Sequence, residues 1–194
     1  MSGKSKTHQV LIDAFLGIRD PCFLGWAALD TKVERFVVAA IAAEINRRHG
    51  RIAHIEFPPR TDLVVLESPI PSGAKRLDPR QATIKSRYEA KAGQLFDFAP
   101  AQRTSDGYMG GHLNDDMAVL RPGVDAGLFF IADVDDPTRH LKYFKGHAAP
   151  SRAAALKILQ SNVPNGRLVA DPTLDCGSVD GTKVRIHMCV FERV

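Results

Sequence analysis

Long hydrophobic runs are missing from this chain. Its longest strongly apolar stretches, such as residues 36–43 and 127–132, are far shorter than the roughly 20 residues a bilayer-spanning helix requires, so no membrane span is expected. Cysteine is equally scarce. Cys22, Cys176 and Cys189 are odd in number and widely spread, which argues against a disulfide framework and for reduced thiols in a cytoplasmic setting. The polar, basic start is followed by an apolar part broken by Asp13, Arg19 and Asp20 with no small-residue cleavage site, so a secretory leader is not expected. Neither charge sign dominates, with 26 Lys plus Arg against 22 Asp plus Glu and a net charge of +4. That excess permits a polyanionic partner without requiring one. Repeats and low-complexity segments are absent. What remains is an ordinary globular composition, 44% hydrophobic and 25% charged over 194 residues, which fits one domain spanning 1–194 with residues 1–6 disordered.

Apolar residues at helical spacing predict a first helix over 7–18, stopped by Gly17 and Asp20-Pro21. A second helix is capped by Asp30 or Thr31, carries Val33, Phe36, Val37, Ala40, Ile41 and Ile45 on one face, and ends at Gly50. Glu44 lies seven positions after Val37, on that apolar face. Residues 52–57 and 62–66 read as two strands joined by a tight connection, and 68–80 as loop. Residues 84–98 read two ways. Alternation makes them a strand with Glu89 and Lys91 on one face, whereas local propensity leans towards a helix striped by Ile84, Tyr88, Ala92 and Leu95. Further on, the pattern predicts a short helix over 112–120, a buried strand from Gly127, a helix over 151–161 capped by Ser151, and a C-terminal β-hairpin. The expected class is α/β, with α+β possible: a central mixed sheet of about four to six strands flanked by helices.

Three residue types could combine into chemistry. If 84–92 is a strand beside the strand opened by Asp62, then Asp62, Glu89 and Lys91 supply two carboxylates and an ammonium at one place. Hard oxygen ligands of this kind suit Mg²⁺ (or Mn²⁺), which binds through one or two carboxylates and retains water. Such a cation lowers the pKa of water and neutralises charge on a phosphodiester under in-line attack, and Lys91 could position that water or take its proton. In a helix, Glu89 and Lys91 would point about 200° apart and could share nothing.

A helix bearing Glu44, a strand, Asp62 at the head of a second strand and Glu89-Ala90-Lys91 within Tyr-Glu-Ala-Lys-Ala-Gly resembles the core of the PD-(D/E)xK nuclease superfamily, the restriction-endonuclease-like fold. The likeness spans about residues 33–134 and continues in the helix and strand that follow. Thr61 stands where the family motif has proline, and 27 residues separate Asp62 from Glu89, an insertion that a loop absorbs at little cost. The resemblance implies metal binding by Asp62 and Glu89, water activation by Lys91, an auxiliary acidic role for Glu44 and DNA hydrolysis. A homodimer is a secondary expectation, because cutting both strands calls for two sites.

The charge distribution points the same way. Residues 72–91 carry Lys75, Arg76, Arg80, Lys85, Arg87 and Lys91 against Asp78 and Glu89, a net of +4 that equals the whole-chain excess. These cations are the candidate phosphate contacts. Two other readings stand beside the nuclease: a non-catalytic domain that uses this basic segment to hold nucleic acid or a protein, and an unrelated α/β enzyme or effector with its site among Asp106 to Asp116. A zinc site from His147, Cys176, His187 and Cys189 lacks any close ligand pair, and Cys22 has no histidine nearby in sequence. Lys183, Arg185, His187 and Arg193 form an alternating basic face on the terminal hairpin, of the sort that usually meets water.

Overall fold

A computed structural model describes residues 5–30, 33–57, 61–71, 82–99, 109–119, 124–136, 138 and 149–194. Helix α1 (Ser5–Leu16) begins inside the stretch expected to be disordered and is followed by α2 (Pro21–Asp30), a helix that the apolar spacing does not predict. Its signal was the proline that served there only as a stop. Pro21 occupies the first helical turn, where its missing N–H costs nothing and its fixed φ favours the helix. Helix α3 (Glu34–His49) ends, as expected, on Gly50 at φ +79. Strands β1 (Ala53–Phe57), β2 (Thr61–Leu66), β3 (Ile84–Gln94) and β4 (Ala126–Val134) follow, with helix α4 (Met109–Val119) between the last two. Helix α5 (Arg152–Asn162) is capped by the Ser151 hydroxyl, which accepts from the Ala154 N–H at 3.3 Å. Strands β5 (Gly166–Ala170), β6 (Thr173–Val179) and β7 (Thr182–Arg193) complete the chain.

The ambiguous segment is therefore a strand through Gln94, with only Leu95–Phe98 forming a 3₁₀ turn. Helix-forming residues are overridden here because β3 pairs on both sides, antiparallel to β2 and parallel to β4, so its backbone groups and both faces are satisfied by neighbours. Among the described residues, seven strands form one mixed sheet in the order β1-β2-β3-β4-β7-β5, and β6 also pairs with β7. Seven exceeds the four to six expected. The difference lies at β7, whose 12 residues are long enough to hold β6 along the first half and β5 along the last. The expected hairpin exists as β6–β7, turning at Asp180 (φ +50) and Gly181 (φ +78), the pair of positive φ angles a two-residue turn requires.

Helices cover both faces. Leu11, Phe15, Leu24, Val37 and Ile41 from α1–α3 pack on Tyr88, Ala90, Leu128, Phe130 and Ile186. On the other side, Leu113 and Met117 of α4 and Ala155 and Leu159 of α5 pack on Phe129, Ile131, Cys189 and Phe191. Strand β4, buried on both faces, reads accordingly as a near-continuous apolar run. The same alternation fixes the site: Glu89 and Lys91 have the opposite parity to Tyr88 and Ala90, and so face α4. Among the described residues no helix is long and apolar enough to cross a membrane. Cys176 and Cys189 are buried and Cys22 is exposed, all three as free thiols.

Candidate active site

The pairing of β2 with β3 runs from Leu66 to Leu63, which sits opposite Tyr88. One residue further the Asp62 side chain takes over from the backbone, accepting the Ala90 N–H on Oδ2 at 2.7 Å. Asp62 is thereby fixed against the peptide that lies between Glu89 and Lys91. Sequence separation of 27 residues is closed by strand pairing alone.

Glu89 is 4% exposed, and its Oε1 has no hydrogen-bond partner. Burial, then the charge of Asp62 and a shared hydrogen bond with it, then the charge of Asp116, push the Glu89 carboxyl up to about 8; Lys91 offsets this only in part. A buried carboxylate with an orphaned oxygen beside a second carboxylate is an arrangement that a hard divalent cation satisfies. Among the described residues no group of three or more His, Cys, Asp or Glu side chains is disposed to hold a metal, so the candidate rests on the Asp62–Glu89 pair. For Lys91, burial opposes the charged form, but pairing with Asp116 and the charges of Glu34 and Asp62 outweigh it and hold the ammonium above its ordinary range. The ion pair from Lys91 Nζ to Asp116 Oδ2 measures 2.6 Å, made off the hydrogen-bond axis. A lysine held charged in this way is suited to orienting and neutralising rather than to removing a proton.

A cleft of about 90 Å³ opens beside Asp62, lined by Glu34, Arg35 and Val38 of α3 and Ile55 and Glu56 of β1. Glu56 holds φ +50, a left-handed conformation uncommon outside glycine, at the strand end that borders the cleft.

Glu44 is placed elsewhere. It lies ten residues along α3 from Glu34, about 15 Å at 1.5 Å per residue. Both its oxygens are occupied, by Arg47 Nε at 2.8 Å and Nη2 at 2.6 Å and by Arg48 Nε at 2.6 Å. The hydrogen bonds from Arg47, against burial and with help from Arg48, hold its carboxyl down to about 2. The charge on the apolar face is explained by a local ion-pair cluster with Arg47 and Arg48.

Of the candidate phosphate contacts, Lys75, Arg76 and Arg80 lie outside the described residues. Lys85 is exposed on β3, and Arg87 donates from Nη1 to Thr61 Oγ1 at 3.3 Å, next to Asp62. The basic face expected on the terminal hairpin is corrected in two places. His187 is 3% exposed, its Nδ1 2.8 Å from Thr173 Oγ1, and Arg185 is held by Asp133 and Asp135, because β7 is an interior strand rather than a free ribbon.

Asp116, Glu34 and Glu56 were missed. Asp116 did fall at the end of the stretch named as an alternative site, 106–116, but only the packing of α4 on the sheet brings it to Lys91. Strand position 127 admits that packing: Gly127 is the register partner of Glu89, and a Cβ there would meet Met117 Sδ at 2.6 Å and Leu113 Cδ1 at 2.9 Å. Compared with known proteins, the sequence matches no family model, no curated protein and no solved structure.

Proposed function

We propose that this protein is a metal-dependent nuclease with a restriction-endonuclease-like core that hydrolyses DNA phosphodiester bonds, with Asp62 and Glu89 holding Mg²⁺ or Mn²⁺. The observation that carries this reading is the hydrogen bond from the Ala90 N–H to Asp62 Oδ2 at 2.7 Å, which locks Asp62 onto the Glu89-Ala90-Lys91 strand. The succession of α3, β1, β2, β3, α4 and β4 supports it, since the motif residues sit on the second and third strands of that run.

Glu89 presents its unpartnered Oε1, and Asp62 is oriented by a backbone donor that does not move with solvent. Bound there, the cation supplies Lewis-acid stabilisation of charge on the phosphate and a stronger water nucleophile. Lys91 contributes a fixed positive charge, donating from Nζ to a non-bridging phosphate oxygen or to the attacking water. Glu89 is nearly sealed from water, which strengthens the interactions its carboxylate makes. Lys85 and Arg87 of β3 are proposed to contact phosphates flanking the scissile one, and Lys75, Arg76 and Arg80 to extend that contact. Duplex cleavage then calls for a homodimer, working where DNA is, in the cytoplasm.

The test is incubation of plasmid DNA with the protein in Mg²⁺ or EDTA, alongside Lys91→Ala. The reading expects Mg²⁺-dependent nicking or linearisation that Lys91→Ala loses. Equal cleavage by both proteins, or none by wild type at molar excess, overturns it. A Mg²⁺-independent, salt-sensitive mobility shift without cleavage assigns the chain instead to non-catalytic nucleic-acid binding.

A further inference from the structure

We propose that Asp116 is a positioning residue that tethers the Lys91 ammonium from the facing helix, and that the close seating of α4 on Gly127 exists to deliver it. This rests on the nuclease reading above and adds to it a residue outside the Asp62, Glu89, Lys91 pattern.

The geometry has two independent parts. The first is the ion pair itself, Lys91 Nζ to Asp116 Oδ2 at 2.6 Å, with the lysine side chain 28% exposed and the aspartate 34%. A lysine has four rotatable bonds, and one on a strand face sweeps a wide arc unless something fixes its tip. Asp116 fixes it from across the helix–sheet gap. The second part is the gap. Leu113 and Met117, one turn apart on α4, are fully buried against the sheet at Gly127, and no side chain larger than hydrogen fits there without moving them. Asp116 adjoins Met117, so the depth of that packing sets the reach of its carboxylate.

The division of labour among the acidic groups follows. Asp62 and Glu89 remain for the cation, while Asp116 is committed to the ammonium. If Asp116 were instead a third ligand, its removal would weaken metal binding. As a tether, its removal leaves metal affinity in place and frees Lys91. Misplacing a catalytic group by about 1 Å costs on the order of 100-fold in rate.

Three variants test this: Asp116→Asn, which keeps shape and removes charge; Asp116→Glu, which keeps charge at a longer reach; and Gly127→Ala, which leaves the pair chemically intact but crowds Leu113 and Met117 where α4 meets the sheet. Two readouts are taken on each folded protein, the plasmid-cleavage kcat and KM in Mg²⁺, and the rate at which an amine-acylating reagent modifies Lys91 relative to Lys85, followed by peptide mass spectrometry. Asp116→Asn and Gly127→Ala are expected to lower kcat about 10- to 100-fold with KM within about twofold, and to acylate Lys91 several-fold faster than wild type; Asp116→Glu retains slow acylation and recovers part of kcat. Unchanged kcat in Asp116→Asn overturns the proposal, as does unchanged Lys91 acylation. A calorimetric loss of Mn²⁺ affinity in Asp116→Asn also overturns it, making Asp116 a ligand. The acylation comparison needs no activity. If wild type does not cleave DNA, the nuclease reading fails while the tether is still judged on Lys91.

Discussion

Replacing Glu89 with glutamine is expected to stabilise the metal-free protein at alkaline pH, by an amount that can be worked from its surroundings. The carboxyl is pushed from 4.5 up to about 8, first by burial and then by the charges of Asp62 and Asp116. A group whose folded pKa is raised binds its proton more tightly folded than unfolded, so its contribution is fully present below about 4.5 and is lost as pH rises through about 8. At about 1.4 kcal/mol per factor of ten, ionising Glu89 in the fold costs on the order of 5 kcal/mol above pH 8. Glutamine preserves the shape and cannot ionise. At 2–4 °C per kcal/mol for a chain of this size, Glu89→Gln should melt ~10 °C or more above wild type at pH 8.5 in EDTA, and within a few degrees of it at pH 5. Thermal melts by circular dichroism across pH 5–9 measure this. Equal melting temperatures at pH 8.5, or an offset independent of pH, would mean that Glu89 is not a strained carboxylate.

Glu44→Gln should behave in the opposite sense: its carboxyl is depressed, so the Arg47 and Arg48 contacts stabilise above about 4.5 and fade as pH falls towards 2, and melting should drop at pH 7 with plasmid cleavage per folded molecule retained. Ser151→Ala removes the α5 cap and is expected to cost about 1 kcal/mol in a urea titration, with an unchanged m-value. Phe130→Ala, at a fully buried ring beside Phe15, should cost about 3–5 kcal/mol by the same titration. Lys85→Ala should reduce the slope of log affinity for duplex DNA against log salt by about 0.9, read by fluorescence anisotropy in Ca²⁺; an unchanged slope removes Lys85 from the phosphate contacts.

Most of the layer architecture was legible because it rests on periodicity. Val37 and Ile41 lie where helical spacing puts them, and the apolar run from Gly127 marks a strand covered on both sides. The strand reading of 84–94 could not be decided locally. Ala, Lys, Glu and Arg favour a helix by their own propensity, and only β2 and β4, paired on either side, reverse the preference. Asp62 and Glu89 were legible as a pair once strands were assumed. Asp116 was not, because it joins Lys91 through tertiary packing on a glycine, and no spacing in the sequence encodes that contact. Glu44 misled for a related reason: a charge on an apolar stripe marks a buried polar interaction, but its partners were the arginines three and four residues on.

The claim on which everything functional depends is that Asp62 and Glu89 together bind a divalent cation. Isothermal titration of Mn²⁺ into wild type, Asp62→Asn and Glu89→Gln at pH 8 addresses it directly. Wild type is expected to bind saturably, with Mg²⁺ competing the Mn²⁺ away, and both variants to lose that binding. No binding to wild type, or the same isotherm for all three proteins, shows that these two carboxylates are not the cation site.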